Sequence, residues 1–265
     1  MTGRGIRTIG NVMSRRPSFR PSAPSHRAPA GSGYWLYGQH AAAAALANPH
    51  RHIHEILVTK EALATLEGQR VPLRVPPHLV ERGRLDQLCE RDAVHQGVAL
   101  RVEPLTPPAL EDVLERSGPV LVLDQVTDPR NIGAILRSAA AFGAAALLVQ
   151  DRNAPQESGA MAKAASGALD VVPVLREVNL ARALAALQNA GLWVVGLDAG
   201  GVRLDGAAYA ERRVTLVLGA EGAGLRRLTR ESCDEIASVY MPGNMESLNV
   251  SNAAAVALYE LARPL

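Results

Sequence analysis

Apolar residues along this chain fall into two regimes. Between Tyr34 and Val102 they come in short mixed runs, and HEILVT, VPLRVP and HQGVALRV read as brief strands. Between the first two lies no ambiguity about what precedes them: YGQHAAAAALANP predicts a helix from about Gln39 to Ala47. It stops at Asn48-Pro49, because proline lacks a donor and biases the residue before it away from helix. The stretch from Leu79 to Cys89 has a helical period. From Pro119 the pattern changes to continuous apolar runs, VLVLD, AALLV, VVPV, LWVVGL, VTLVLG and ASVYM, separated by helical segments. Strands that are apolar on both faces are what a parallel sheet covered by helices on both sides requires. Pro104, Pro107 and Pro108 mark a linker between the regimes, followed by a short amphipathic stretch ending at Ser117-Gly118. The pattern predicts an α/β protein with a small domain over 34–102, a linker over 103–118 and a larger parallel-sheet domain over 119–265.

Composition adds a boundary and removes two classes. With 48% hydrophobic residues in 265, the chain can bury a core. No apolar run approaches the roughly 18 residues of a membrane span. Cys89 and Cys233 stand far apart with no CxxC or Cys/His neighbourhood, which fits reduced core thiols and a cytoplasmic setting. The net charge of +2 hides an asymmetry. Met1 to Gly33 carries Arg4, Arg7, Arg15, Arg16, Arg20 and Arg27 and no acid, which leaves 22 basic against 26 acidic residues, a net −4, for the rest. With Pro17, Pro21, Pro24 and Pro29, this segment reads as a disordered basic arm. A solubilising tail, an electrostatic arm for a polyanion and an organellar transit peptide all fit it.

Three clusters carry chemistry. In LVLDQVTDPRNIGAILRSAAAFG, Leu121 to Gly143, a strand ends at Asp124 and Asn131 takes the N-cap position of a helix over Ile132–Phe142. Arg130 precedes the helix and Arg137 lies in its second turn among small and apolar residues, where a guanidinium calls for an acidic partner or an anionic ligand. In LVLGAEGAGLRRLTRESCDE, Leu216 to Glu235, Gly219, Gly222 and Gly224 crowd a strand end. The spacing is GxxGxG, neither a Walker loop nor GxGxxG. Glu221 within it stands at the carboxyl end of a parallel sheet, where ligands bind in such folds. Arg226, Arg227 and Arg230 follow, as a solvated face or one that contacts phosphate. In ESLNVSNAAAVALYELARPL, Glu246 to Leu265, one cap explains only one of Ser247, Asn249 and Ser251, and the remainder reads as a ligand-holding loop.

Together the clusters resemble the SpoU (TrmH-type) branch of the SPOUT RNA 2′-O-ribose methyltransferases. NxGAxxRSAAAFG, LGAEGAG and SLNVSNAAAVALYE match the three motifs of that family in order, and the likeness runs from about Tyr34 onward. It implies a SPOUT-type parallel sheet with a C-terminal trefoil knot, preceded by a small L30e-like α/β domain that binds RNA substrate. It implies S-adenosyl-L-methionine as cofactor, held by loops at Gly196, Gly219, Val239, Met241 and Leu248, and no metal. It assigns Arg137 as catalytic, with Asn131, Glu221, Ser247, Asn249 and Ser251 orienting ribose and cofactor. A homodimer with shared sites is implied too, its partner covering the alanine-rich closing helix at Ala253, Ala254, Ala255 and Ala257. Val239-Tyr240-Met241-Pro242 departs from the family's Ile-Pro-Met, so the adenine contact is the least transferable part. Structured RNA is the implied substrate, a large-subunit ribosomal guanosine ahead of tRNA. A non-catalytic RNA-binding protein on the same scaffold is the alternative, and a Rossmann oxidoreductase lacks both GxGxxG and the acidic residue about 20 positions on.

Overall fold

A computed structural model describes residues 33–263. The expected basic arm, Gly33 apart, lies outside the described residues.

The first regime folds as β1 (Tyr34–Tyr37), α1 (Gln39–Ala47), β2 (Ile53–Val58), α2 (Lys60–Gly68), β3 (Pro77–Leu79), α3 (Arg82–Leu88) and β4 (Val98–Val102). Its four strands lie in the order β1-β4-β2-β3, antiparallel except for the β2/β3 pair. VPLRVP is not a strand. Pro72 and Pro76 each lack the N–H a ladder needs, and pairing starts only at Pro77, on an edge strand where a missing donor is tolerated.

After α4 (Leu110–Leu114) the chain runs β5 (Val120–Leu123), α5 (Pro129–Ala141), β6 (Ala146–Gln150), α6 (Gly159–Ala165), β7 (Val174–Glu177), α7 (Leu180–Asn189), β8 (Trp193–Arg203), β9 (Val214–Leu218), α8 (Arg227–Glu231), β10 (Glu235–Ser238) and α9 (Val250–Ala262). The six strands form one sheet, β10-β8-β9-β5-β6-β7, in which every neighbouring pair is parallel. All residues of the central strands β5 and β9 are buried, as the unbroken apolar runs require.

Two further boundaries differ from the sequence pattern. In VVPV the strand begins only after Pro173, and in ASVYM it ends at Ser238, ahead of Pro242 and Gly243. Val239 to Met241 is thereby released from the sheet to form a loop.

Helix packing places the site elements. Gly133 lets α5 approach α6 closely, since a Cβ there would lie 2.4 Å from the Met161 carbonyl oxygen. Helix α9 packs on α5, burying Val250, Ala254, Ala257 and Leu258. Two of the four alanines expected to meet a partner helix are therefore used inside the chain.

A buried ionic cluster ties the small sheet to the larger one. Arg51, its side chain fully buried, donates to Glu157 Oε2 at 2.6 Å, to Asp170 Oδ1 at 2.9 Å and to the Glu103 carbonyl at 2.9 Å. Tyr34 Oη also donates to Glu157 Oε2, at 2.9 Å, and Asn48 Nδ2 to Asp170 Oδ1, at 3.0 Å. Burial disfavours the guanidinium charge, but Glu157 and Asp170 outweigh it and raise the Arg51 pKa.

Candidate active site

Strands β5 and β9 end side by side, level with Leu197 in the middle of β8, and each hands the chain to a loop of the site. After β5, Asp124 is wholly buried and accepts two bonds from Arg226, from the backbone N at 3.1 Å and from Nε at 2.7 Å. This ion pair pins the segment beyond the glycine loop to the end of β5. Arg227 pairs with Glu231 one turn on, and Arg230 pairs with Asp198. Each of the three arginines thus has a carboxylate partner within the chain.

Asn131 is not the cap of α5. Asp128 takes that place, its side chain accepting from Arg130 N at 2.9 Å, with Pro129 pre-set at the first helical position. Asn131 consequently sits one turn inside the helix with its amide free to reach across the site. Arg130 and Arg137 are exposed on the outer face of α5, and neither forms an ion pair among the described residues.

The glycine loop folds back on itself through Gly224 N donating to Ala220 O at 3.0 Å. Gly222 and Gly224 have φ of 77° and 65°, in the region that favours glycine. A Cβ on Gly219 would lie 2.2 Å from the Gly224 carbonyl, so the reversal excludes any side chain there. The fold-back presents Glu221 outward.

Three distant residues converge on that carboxylate. Glu221 Oε1 accepts from Asn131 Nδ2 at 3.1 Å, from Asn249 Nδ2 at 2.6 Å and from Val250 N at 3.4 Å. Asn249 Nδ2 also donates to Asn131 Oδ1, at 3.1 Å. Asn249 caps α9 through Ser251 N at 2.9 Å, and Ser251 Oγ donates to the same Oδ1 at 2.5 Å. Both hydrogens and both lone pairs of the Asn249 amide are thus engaged. Glu221 Oε2 has no protein partner among the described residues, so one oxygen is held and the other is free.

Beside this junction a cleft of about 230 Å³ opens between the middle of β8 and the loops after β9 and β10. Gly219, Val239, Met241 and Leu248, all expected at the cofactor, line it, as do Glu221 and Ser247. Gly196 does not. It is buried within β8, where Leu225, Ile236 and Cys233 crowd the place its Cβ would take, and Leu197, Asp198 and Ala199 reach the cleft instead. Arg137, Asn131, Asn249 and Ser251 lie outside the lining.

The electrostatics of the cleft discriminate between ligands. Asp198, Glu221 and Glu246 line it, and no lysine or arginine does. With Asp198 already paired to Arg230, Glu221 and Glu246 are the acids of the lining without an ion-pair partner among the described residues, and they suit a ligand bearing positive charge beside an apolar body. Sequence reasoning missed Asp198 and Glu246. Asp198 directly follows the LWVVGL run at a strand's carboxyl end, which was a usable signal; Glu246 had none.

Family models agree with this architecture. Residues 118–259 match the SpoU rRNA Methylase family, and residues 35–108 match the family described as RNA 2'-O ribose methyltransferase substrate binding. This chain belongs to the SpoU rRNA methylase family. Among SpoU relatives, the 23S rRNA (guanosine-2'-O-)-methyltransferase RlmB of Pasteurella multocida (strain Pm70) is 40% identical over 238 residues, covering 86% of this chain and 97% of that protein. The protein of the same name from Escherichia coli (strain K12) is 38% identical over 244 residues, covering 86% and 97%. The SpoU methyltransferase AviRb of Streptomyces viridochromogenes, solved in complex with AdoMet, superposes with a TM-score of 0.72 at 26% identity, over 87% of this chain and 89% of that one. No helix among the described residues is long and apolar enough to cross a membrane.

Proposed function

We propose that this protein transfers a methyl group from S-adenosyl-L-methionine to a ribose 2′-OH in structured RNA, a guanosine of large-subunit ribosomal RNA being the favoured target. The observation that carries the reading is the acid-lined cleft directly beside the junction of Asn131, Glu221 and Asn249. Kinship with proteins named as 23S rRNA guanosine-2′-O-methyltransferases supports the choice of substrate.

The bound cofactor supplies an electrophilic methyl on a sulfonium. The loops at Gly219, Val239, Met241 and Leu248 would hold it, and the carboxylates of Glu221 and Glu246 would match its positive charge. The hydroxyl must be aligned for in-line attack and must lose its proton as the O–C bond forms and the C–S bond breaks. Glu221, with Oε2 free, orients the hydroxyl or the cofactor's charged end, and Ser247 assists from the cleft wall. Asn131, Asn249 and Ser251 act through Glu221 as positioning residues. Arginine is a poor base, its pKa exceeding about 12. Arg137 therefore grips the RNA phosphate beside the target nucleotide, and that phosphate accepts or relays the proton.

The reading extends to the whole chain. Residues 34–102 form an L30e-like RNA-binding domain, 103–118 a linker and 119–265 a methyltransferase domain with a trefoil knot, working as a cytoplasmic homodimer that needs no metal for transfer. Val256 and Tyr259, 43% and 58% exposed on α9, offer apolar surface for the partner. Mixing Arg137→Ala chains with Gly219→Trp chains tests shared sites: verified heterodimers recover about one working site in two, and no recovery contradicts sharing. Calorimetric titration with S-adenosyl-L-methionine tests the cleft itself. Saturable binding that Gly219→Trp abolishes is expected, and no binding by the intact protein favours a non-catalytic RNA-binding role.

A further inference from the structure

From Arg51 to His54, where the chain enters β2, side chains alternate between interior and solvent. Arg51 and Ile53 point inward, and His52 and His54 point to solvent. The two imidazoles stand with ring centroids 4.4 Å apart. Glu103, just beyond the neighbouring strand β4, is fixed opposite them by its backbone N donating to the His52 carbonyl at 3.1 Å. One oxygen of its carboxylate, Oε1, lies 3.3 Å from His52 Nδ1 and 3.0 Å from His54 Nε2. All three ligand-type atoms fall within 4.8 Å of one another.

We propose that His52, His54 and Glu103 form a binding site for a divalent transition-metal ion of the zinc type, remote from the methyl-transfer cleft. A tetrahedral ion with bonds of about 2.0–2.1 Å requires its ligand atoms about 3.3 Å apart. Two of the three separations already meet that figure, and turning one solvent-exposed imidazole closes the third. An ordinary surface ion pair does not account for the arrangement as well. Such pairs contribute about 1 kcal/mol at most and impose no convergence, whereas here two rings aim at a single oxygen.

The scaffold is rigid, because the intervening Arg51 anchors the same segment to Glu157 and Asp170. Two imidazoles and one carboxylate select zinc-like ions over magnesium or calcium, which take oxygen ligands. Three protein ligands at an exposed position leave a fourth open to water.

Isothermal titration of the metal-stripped full chain with zinc chloride tests the site, with magnesium chloride as control. One saturable equivalent of zinc is expected to vanish in His54→Ala and to weaken at least about tenfold in Glu103→Gln, with thermal midpoints unchanged. Competing thiols are disfavoured, since burial pushes Cys89 up to about 11 and Cys233 up to about 12. Absence of saturable zinc binding overturns the proposal, as does an equivalent that survives His54→Ala or is lost only on cysteine alkylation.

Discussion

Asn249 Nδ2 donates to Asn131 Oδ1 at 3.1 Å although the two residues lie 118 positions apart, and both amides donate to one oxygen of Glu221. The triangle joins the first turn of α5, the glycine loop after β9 and the N-terminus of α9, so its members act together. Asn249→Asp tests this without removing the helix cap, because aspartate caps as well as asparagine. It deletes two donors and sets a carboxylate against Glu221. Methyl transfer is expected to fall at least about tenfold, with stability within about 1 kcal/mol of the parent by thermal melting. Unchanged kcat would detach the triangle from catalysis.

Arg137 is exposed and has no ion-pair partner among the described residues, so Arg137→Ala should leave stability within about 0.5 kcal/mol. Transfer should be lost while cofactor affinity, measured by calorimetry, stays near normal. A collapse of cofactor affinity in a folded variant would place this arginine at the cleft rather than on RNA.

Arg51 holds two acids that are almost fully shielded, Glu157 and Asp170 side chains being 14% and 1% exposed. Truncation to Arg51→Met leaves both charges unpaired in the interior. Urea unfolding should show a loss of about 3–5 kcal/mol. A loss below about 1 kcal/mol would mean that the cluster does not join the two sheets.

Much of this architecture can be read from local pattern. Helix α1 ends where Asn48-Pro49 requires, and the buried runs of β5 and β9 announce a parallel sheet. Errors cluster where a local signal has two readings. Asn131 looks like a cap, yet Asp128-Pro129 begins the helix earlier and frees it for Glu221. Gly196, expected at the cofactor from the resemblance alone, lies within β8, where Leu225, Ile236 and Cys233 crowd the place its Cβ would take. Asp124 pairing with Arg226, 102 positions away, has no local signature at all.

The two cysteines give a pH-dependent prediction. Burial favours the neutral thiol and raises Cys89 from 9.0 to about 11 and Cys233 from 9.0 to about 12. The unfolded chain loses these protons first, so their contribution to stability is complete below about pH 9 and declines as pH rises towards 11–12. Alkylation by iodoacetamide at pH 7.5 should be slow in the folded protein and fast in denaturant. Rapid labelling of the folded protein would contradict this burial.

Incubating the purified protein with methyl-labelled S-adenosyl-L-methionine and 23S ribosomal RNA, then mapping the label after alkaline hydrolysis, tests the central claim most directly. A 2′-O-methyl group removes the hydroxyl that alkaline cleavage needs, so the account predicts label in a single alkali-resistant dinucleotide containing guanosine. Label released with mononucleotides as a methylated base, or no transfer to ribosomal RNA at all, would contradict it.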